Sequence, residues 1–343
     1  MKLPLILSLI LSISVIVAIF ILTFNSNTIQ TLTDQRLRYE FFLVAFAISI
    51  LFWFIWGIRL KILSNSINKS VKVSTWESTK IIIANLFLAN ITPSLAGGEP
   101  VRIYLLSKNG LSVGEATAAV LGERLLDVIF LLLCFPFAFF ILRDLIDIEA
   151  LRIGLIIAIA VFIMVVFVFL YAIKNPDKTK SFLIFIVNKF KRFFKKKDSQ
   201  KQILTRINRE VDNFSNSMNY FLTSGRIAFL KAGLLTAVLW LTGWMIPSLI
   251  LMGLNISPYF LQSYAAQILL IIIVMMPTTP GSAGVTEGGA AALYGIFVDS
   301  SLIGVFILMF RLLTYHLGLI AGAIFQYKIF KSVTSFSLDS IKK

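Results

Sequence analysis

Thr92-Pro93-Ser94-Leu95-Ala96-Gly97 and Thr279-Pro280-Gly281-Ser282-Ala283-Gly284 are two versions of one hexapeptide, 187 positions apart, each set in a long apolar segment. The same offset carries Arg124-Leu125-Leu126 onto Arg311-Leu312-Leu313 and Trp53 onto Trp240, so the register holds well outside the hexapeptide. The chain contains an internal repeat. Each copy reads as a membrane-length helix, a Pro/Gly-interrupted segment with a glutamate close by, and a helix with an arginine inside its apolar run. Paired, interrupted hydrophobic segments at matching places in two halves point to a transporter's binding site near the bilayer midplane.

Composition supports a polytopic helical membrane protein. Of 343 residues 58% are hydrophobic and 14% charged, and runs such as Leu155 to Ala172 and Ile268 to Met276 are continuously apolar. A β-barrel would need segments of about ten residues that alternate in and out. The single cysteine, Cys134, lies in an apolar run, which leaves no intrachain disulfide and no cysteine-based metal site. Neither a cofactor nor a metal is expected. Lys2 followed by Leu3 to Leu22 resembles a signal peptide, but the run is longer than a signal core and Thr23-Phe24-Asn25-Ser26-Asn27 offers no small-x-small cleavage site. It reads as a retained first helix.

The net charge of +15 is concentrated. Between Ile173 and Gly225 stand 12 Lys/Arg, including Lys189, Lys191, Arg192 and Lys195-Lys196-Lys197, against four acids. The positive-inside rule places this segment in the cytoplasm. Phe182, Phe185, Ile186, Phe190 and Phe193 recur within it at helical spacing, next to a span, which suits a helix lying on an anionic leaflet rather than nucleic-acid binding.

Apolar runs of about 20 residues place spans at Leu5 to Leu22, Phe41 to Leu63, Val113 to Leu142, Leu151 to Ala172, Phe229 to Leu251 and Leu302 to Phe325. If the first broken segment enters and leaves on one face, Arg59, Lys61, Lys69, Lys72, Lys108 and both termini are cytoplasmic. The turn Arg143 to Glu149 is then external. The expected fold class is an all-α polytopic membrane protein with an inverted-topology repeat and two broken, re-entrant segments in a cell-membrane, multi-pass chain. Its parts are an N-terminal helix and external loop (1–40), repeat 1 (41–142, break within 81–106), a linking helix (143–172), a basic cytoplasmic amphipathic segment (173–227), repeat 2 (228–329, break within 265–296) and a cytoplasmic tail (330–343). The alternative is that each broken segment spans fully, as one kinked or two short helices.

In the first break Pro93 lacks an amide donor, Gly97-Gly98 permits a sharp reversal, and Pro100 with Glu99 before it suits the first turn of a new helix. Such a helix start presents free N–H groups and a positive dipole end, which favours a phosphate. In the second break Pro280 and Gly284 bend the chain, Thr286 is the expected N-cap and Glu287 falls in the first turn. The glutamates slip by one residue against the repeat offset and are analogous rather than equivalent. Arg124 and Arg311 each lie about 15 Å along their helices, near the middle of a hydrocarbon core about 30 Å thick, so each must face a partner or a polar cavity. Arg124 can pair with Asp127 or Glu123, Arg311 with Glu287; a ligand phosphate is the other partner for both. Arg102 follows the first break and either reaches an anion or snorkels. His316 is expected to make a structural hydrogen bond.

The run Asn90 to Arg102, the segment Glu123-Arg124-Leu125-Leu126-Asp127 and the run Pro280 to Gly288 together resemble the flippase-like transmembrane domain of lysylphosphatidylglycerol synthases. That domain also occurs alone in membrane proteins. The resemblance spans about Phe41 to Phe330 and implies movement of a phospholipid or a polyprenyl-phosphate-type lipid between leaflets. The chain ends at Lys343, so transfer of lysine from tRNA is not implied.

The leading expectation is a lipid flippase-like transporter whose partners are membrane lipids with anionic headgroups. Its candidate substrate-binding residues are Arg124, Arg311, Glu99, Glu287, Arg102, Gly97, Gly98, Gly284, Pro93, Pro280 and Asp127. The alternatives are a membrane enzyme acting on a lipid-linked substrate with Glu99 and Glu287 as acid and base, and a scaffold subunit of a lipid-modifying complex. Chemistry that needs two histidines is excluded, because only His316 exists. The sequence leaves the oligomeric state open.

Overall fold

The computed structural model describes residues 37–90, 92, 97–142, 174–189, 197–274, 279 and 281–325, with isolated positions at 14, 17, 29, 33, 160, 163, 164, 167, 168 and 171. The expected first helix, the linking helix, the C-terminal tail, Pro93 and Pro280 lie outside the described residues, those isolated positions aside. Among the described residues there are helices and no strands: α1 Tyr39–Ile67, α2 Thr75–Asn90, α3 Gly98–Lys108, α4 Val113–Leu142, α5 Pro176–Lys189, α6 Lys197–Leu222, α7 Arg226–Gly253, α8 Phe260–Val274, α9 Val285–Tyr294 and α10, which runs from Ser300 to Phe325. Helices α1, α4, α7 and α10 are each long and apolar enough to cross a bilayer.

The repeat offset maps α1, α2, α3 and α4 onto α7, α8, α9 and α10 to within a few residues at each boundary. Caps recur at equivalent positions. Ser112 and Glu115 form a reciprocal capping box at the start of α4, with Glu115 N donating to Ser112 Oγ (3.1 Å) and Ser112 N to Glu115 Oε2 (2.7 Å). At the matching place Asp299 caps α10, accepting from Ser301 N at 2.8 Å.

The two halves are inverted. Equivalent helices α1 and α7 pack together, with Phe42 against Gly253, Phe52 against Gly243 and Arg59 against Thr236. Numbers rise on one helix as they fall on the other, so the helices are antiparallel. Two copies of one element lying antiparallel are related by a two-fold axis perpendicular to both, which for membrane-crossing helices lies in the membrane plane.

Each broken segment is a helix, a break and a shorter helix. By the rise of about 1.5 Å per residue, α2 and α8 are about 24 and 22 Å long, while α3 and α9 are about 16 and 15 Å. The short helices are long enough to reach about half-way through a hydrocarbon core. The longer helices, which open the broken segments, begin five to six residues before the expected boundaries, at Thr75 and Phe260 rather than 81 and 265.

Two apolar cores flank the centre. One gathers Leu60, Leu63, Ile82, Leu106, Val120 and Leu126 around the first break; the other gathers Leu131, Ile250, Leu269, Leu293 and Phe306 around the second. Along α4 the first core ends at Leu126 and the second begins at Phe130 and Leu131, and Asp127 falls between them. Helix α6 packs on α4, with Glu210 Oε2 accepting from Gly114 N at 2.8 Å and Phe221 lying over Gly122. In α5, Phe182 and Phe185 are exposed, while Lys180 pairs with Asp212 of α6 at 2.5 Å. The side chains of Ile186, Phe190 and Phe193 lie outside the described residues.

Candidate functional site

On α4, Glu123 and Asp127 are one turn apart and share a face, while Arg124 is rotated off it. Arg59 of α1 lies between the two carboxylates. Its Nε donates to Glu123 Oε1 (3.0 Å), its NH1 to Asp127 Oδ1 (2.5 Å) and Thr236 Oγ1 of α7 (2.9 Å), and its NH2 to Asp127 Oδ2 (3.3 Å). The Trp240 indole donates to Asp127 Oδ1 at 2.9 Å and the Trp56 indole to Glu123 Oε2 at 3.4 Å. Arg102 of α3 donates from NH1 to the same Glu123 Oε2 at 2.5 Å. Arg124 closes the cluster, meeting Glu99 Oε1 through Nε (2.8 Å) and NH2 (2.6 Å), and Asp127 Oδ2 through NH1 (3.4 Å).

Six charges, three arginines and three carboxylates, therefore balance in one network that joins α1, α3 and α4, with α7 contributing Thr236 and Trp240. Its depth is graded. The side chains of Arg59, Arg102, Glu123 and Asp127 are at most 3% exposed, whereas Arg124 is 32% and Glu99 23% exposed. Removing one partner of a buried pair costs about 3–5 kcal/mol, and an exposed pair contributes about 0–1 kcal/mol. The Glu99–Arg124 pair is thus the least buried part of the cluster and the part least costly to break. The ring of Trp56 faces both Arg102 and Arg124, whose guanidinium carbons lie 5.4 and 5.9 Å from its centroid.

The second half repeats one piece of this arrangement. Arg311 Nε lies 2.9 Å from Glu287 Oε1, although not at a hydrogen-bonding angle, and its guanidinium stacks on Tyr315 at 4.1 Å. Arg124 and Arg311 are equivalent under the repeat, and each meets the glutamate of the short helix after its own break. The one-residue slip between Glu99 and Glu287 leaves that geometry intact. The rest of the cluster has no counterpart: the positions matching Arg59, Arg102, Glu123 and Asp127 are Ile246, Gly289, Phe310 and Thr314.

The breaks meet each other. Gly281 N donates to Thr92 O at 3.0 Å, and beside this seam Asn90 Nδ2 donates to Tyr315 O at 3.2 Å and the Tyr315 hydroxyl to Asn90 O at 3.3 Å. Tyr315 sits in a π-helical turn, Leu312–His316, directly after Arg311. In the first break Gly97 N donates to Thr92 Oγ1 at 2.8 Å. In the second, Gly281, Ser282 and Gly284 all have positive φ, and of these Ser282, at φ +51°, is the non-glycine held in the left-handed region.

Several expectations need correction. Arg59 is not a cytoplasmic flanking charge; it is buried, because Glu123 and Asp127 neutralise it. Thr286 is not the N-cap of α9: Gly284 occupies that position at φ +83°, its N–H donating to Glu287 Oε2 at 2.7 Å, while Thr286 Oγ1 donates back to Ser282 O at 3.0 Å. Gly97 has φ −70° and is needed for space, since a Cβ there would stand 2.5 Å from Thr92. Gly98 likewise abuts Asn85. His316 makes the expected structural contact, Nδ1 to Arg311 O at 3.1 Å. Sequence reasoning missed Arg59, Trp56 and Thr236 as cluster members, although an arginine four residues inside the end of the run Phe41–Leu63 was the available signal.

The family model for the lysylphosphatidylglycerol synthase TM region matches residues 5–322. The chain belongs to this family. Among its relatives, a UPF0104 membrane protein of Archaeoglobus fulgidus is 34% identical over 93% of this chain and 96% of its own length. UPF0104 membrane proteins of Methanocaldococcus jannaschii, 27% identical over 83% of each chain, and Pyrococcus horikoshii, 24% identical over 91% and 93%, are similar too. No solved structure matches. The synthase TM-region membership and the apolar helices make this a multi-pass membrane protein, and the charged cluster and the joined breaks lie within the matched region.

Proposed function

We propose that this protein moves a phospholipid or polyprenyl-phosphate-type lipid between the leaflets of the cell membrane, with both termini in the cytoplasm. The observation that carries the proposal is the meeting of the two breaks at Thr92 and Gly281, in an inverted repeat, with an arginine–glutamate pair on each side. Unpaired backbone at membrane depth is tolerated where protein or a water-filled cavity satisfies it. Here the breaks satisfy one another while the adjacent short helices keep their N-termini near the midplane. An anionic headgroup crossing there meets Arg124, Arg102 and, after the halves rock, Arg311. Glu99, Glu287 and Asp127 hold these arginines between passages, and Gly97, Gly98 and Gly284 shape the path. Each of the two break glutamates is already held by an arginine, an arrangement poorly suited to proton transfer. Membrane lipids are the partners, and the family's link to lipid chemistry agrees with that choice.

The test is a scrambling assay in proteoliposomes with fluorescent lipids of several headgroups, comparing the wild type with Arg124→Met. Transport of at least one anionic lipid that falls in the variant is expected. Rates equal to empty liposomes for every headgroup would remove the proposal.

A further inference from the structure

Glu99 stands in an odd position. A single oxygen, Oε1, accepts from both Nε and NH2 of Arg124 and lies 3.8 Å from Arg102 NH2. Arg102 is completely buried, and among the described residues its Nε and NH2 have no hydrogen-bond partner; only NH1 is engaged, by Glu123. Two guanidinium groups therefore converge on one carboxylate that leaves buried donors unfilled. A phosphate offers more oxygens in a tetrahedral arrangement and accepts from two such forks at once. The seat also adjoins the N-terminus of the 11-residue α3, where the dipole favours negative charge.

We propose that Glu99 is a built-in occupant of a phosphate seat formed by Arg124 and Arg102, and that an incoming phosphate-bearing anion takes the seat by turning Glu99 out to the exposed lip. This deepens the transport reading and rests on it for the end of the molecule at which the anion arrives. Glu99 can turn out because it is in the first turn of α3, is partly exposed, and keeps water as a substitute partner. The charge count agrees: with Glu99 displaced, the anion replaces one negative charge by another against the same three arginines. The second half shows what a fixed glutamate looks like. Glu287 is fully buried, with one oxygen on Gly284 N and the other against Arg311. Glu99 shares the arginine contact but is 23% exposed, and no backbone N–H among the described residues holds its carboxylate.

The experiment measures binding to the purified protein in detergent of two probes, dioctanoyl phosphatidylglycerol and inorganic phosphate, for the wild type, Glu99→Gln, Glu99→Asp and the surface control Glu77→Gln. Removing the internal competitor should tighten binding of the lipid probe roughly fivefold to tenfold in Glu99→Gln and slow its release, with a smaller gain in Glu99→Asp and none in Glu77→Gln. A similar gain for inorganic phosphate shows that the seat reads phosphate alone; a gain confined to the lipid shows that acyl or glycerol contacts are needed as well. A purely structural pair would move affinity the other way. Unchanged or weaker binding in folded Glu99→Gln overturns the proposal, as does the absence of binding in every form; if Glu99→Gln does not fold, Glu99→Asp decides by the same sign. Tightened binding without any lipid transport would instead sink the transport reading and leave the seat standing.

Discussion

Thr92 O and Gly281 N, 189 positions apart in the chain, form a hydrogen bond of 3.0 Å that joins the two breaks of the repeat. A backbone carbonyl of one half satisfies a backbone amide of the other at the point where neither helix can continue. Gly281 has φ +61°, which positions its N–H for this contact.

Gly281→Pro removes the donor and cannot adopt a positive φ, so it should lower thermal stability and abolish transport together. Gly281→Ala keeps the donor and adds the strain of a left-handed residue, about 1–2 kcal/mol. Thermal unfolding of the two variants in detergent checks the ordering; equal losses would show that the seam contributes nothing beyond the glycine's conformation.

Arg59 bridges Glu123 and Asp127 with almost no exposure. Arg59→Met leaves two buried carboxylates short of a counter-charge and should destabilise the protein by about 3–5 kcal/mol. Arg59→Lys should recover little, because one ammonium cannot span both carboxylates as the planar fork does. A near-normal melting temperature in Arg59→Met would show that water reaches this floor.

The pair Arg311–Glu287 separates holding a lipid from holding the fold. Arg311→Met should cost several kcal/mol by leaving Glu287 unpaired, and the double variant Arg311→Met with Glu287→Gln should recover part of that stability. If Arg311 also serves the lipid, the recovered double variant remains inactive in the scrambling assay. Recovery of both stability and transport would make the pair purely structural.

Two glycines fail for different reasons. A methyl at Gly97 meets the Thr92 side chain and Leu88 O, whereas Gly284 needs its φ of +83°. Gly97→Ala should therefore be partly rescued by Thr92→Ala, which clears the methyl's nearest neighbour, while Gly284→Ala is strained by its backbone conformation whatever surrounds it, so trimming a neighbour does not remove that strain. Melting temperatures of the single and double variants read this directly.

Cysteine labelling on a Cys134→Ser background tests sidedness. Reagents applied from the cytoplasm should reach cysteines at positions 108, 196 and 342, and those applied from outside a cysteine at 299. Opposite sidedness of positions 108 and 196 would contradict re-entry of the first broken segment.

By itself the sequence determined the class and the symmetry. Continuous apolar runs set the membrane environment, and the hexapeptide with its arginine at a constant offset set the repeat, because backbone breaks and buried charges are too costly in lipid to occur by chance at matched places. The placement of Glu287 in the first turn after its break was legible because it depends only on residues a few positions apart. The tertiary structure alone decided the charged cluster. Arg59 looks like a helix-end charge until α4 packs beside it, since its burial depends on two carboxylates 64 and 68 positions away. Likewise Gly97 and Gly284 read as the same kind of residue, and only three-dimensional contact separates a need for space from a need for positive φ. Local chemistry is written in neighbouring residues; which charges neutralise one another is settled by packing between helices that the chain order keeps apart.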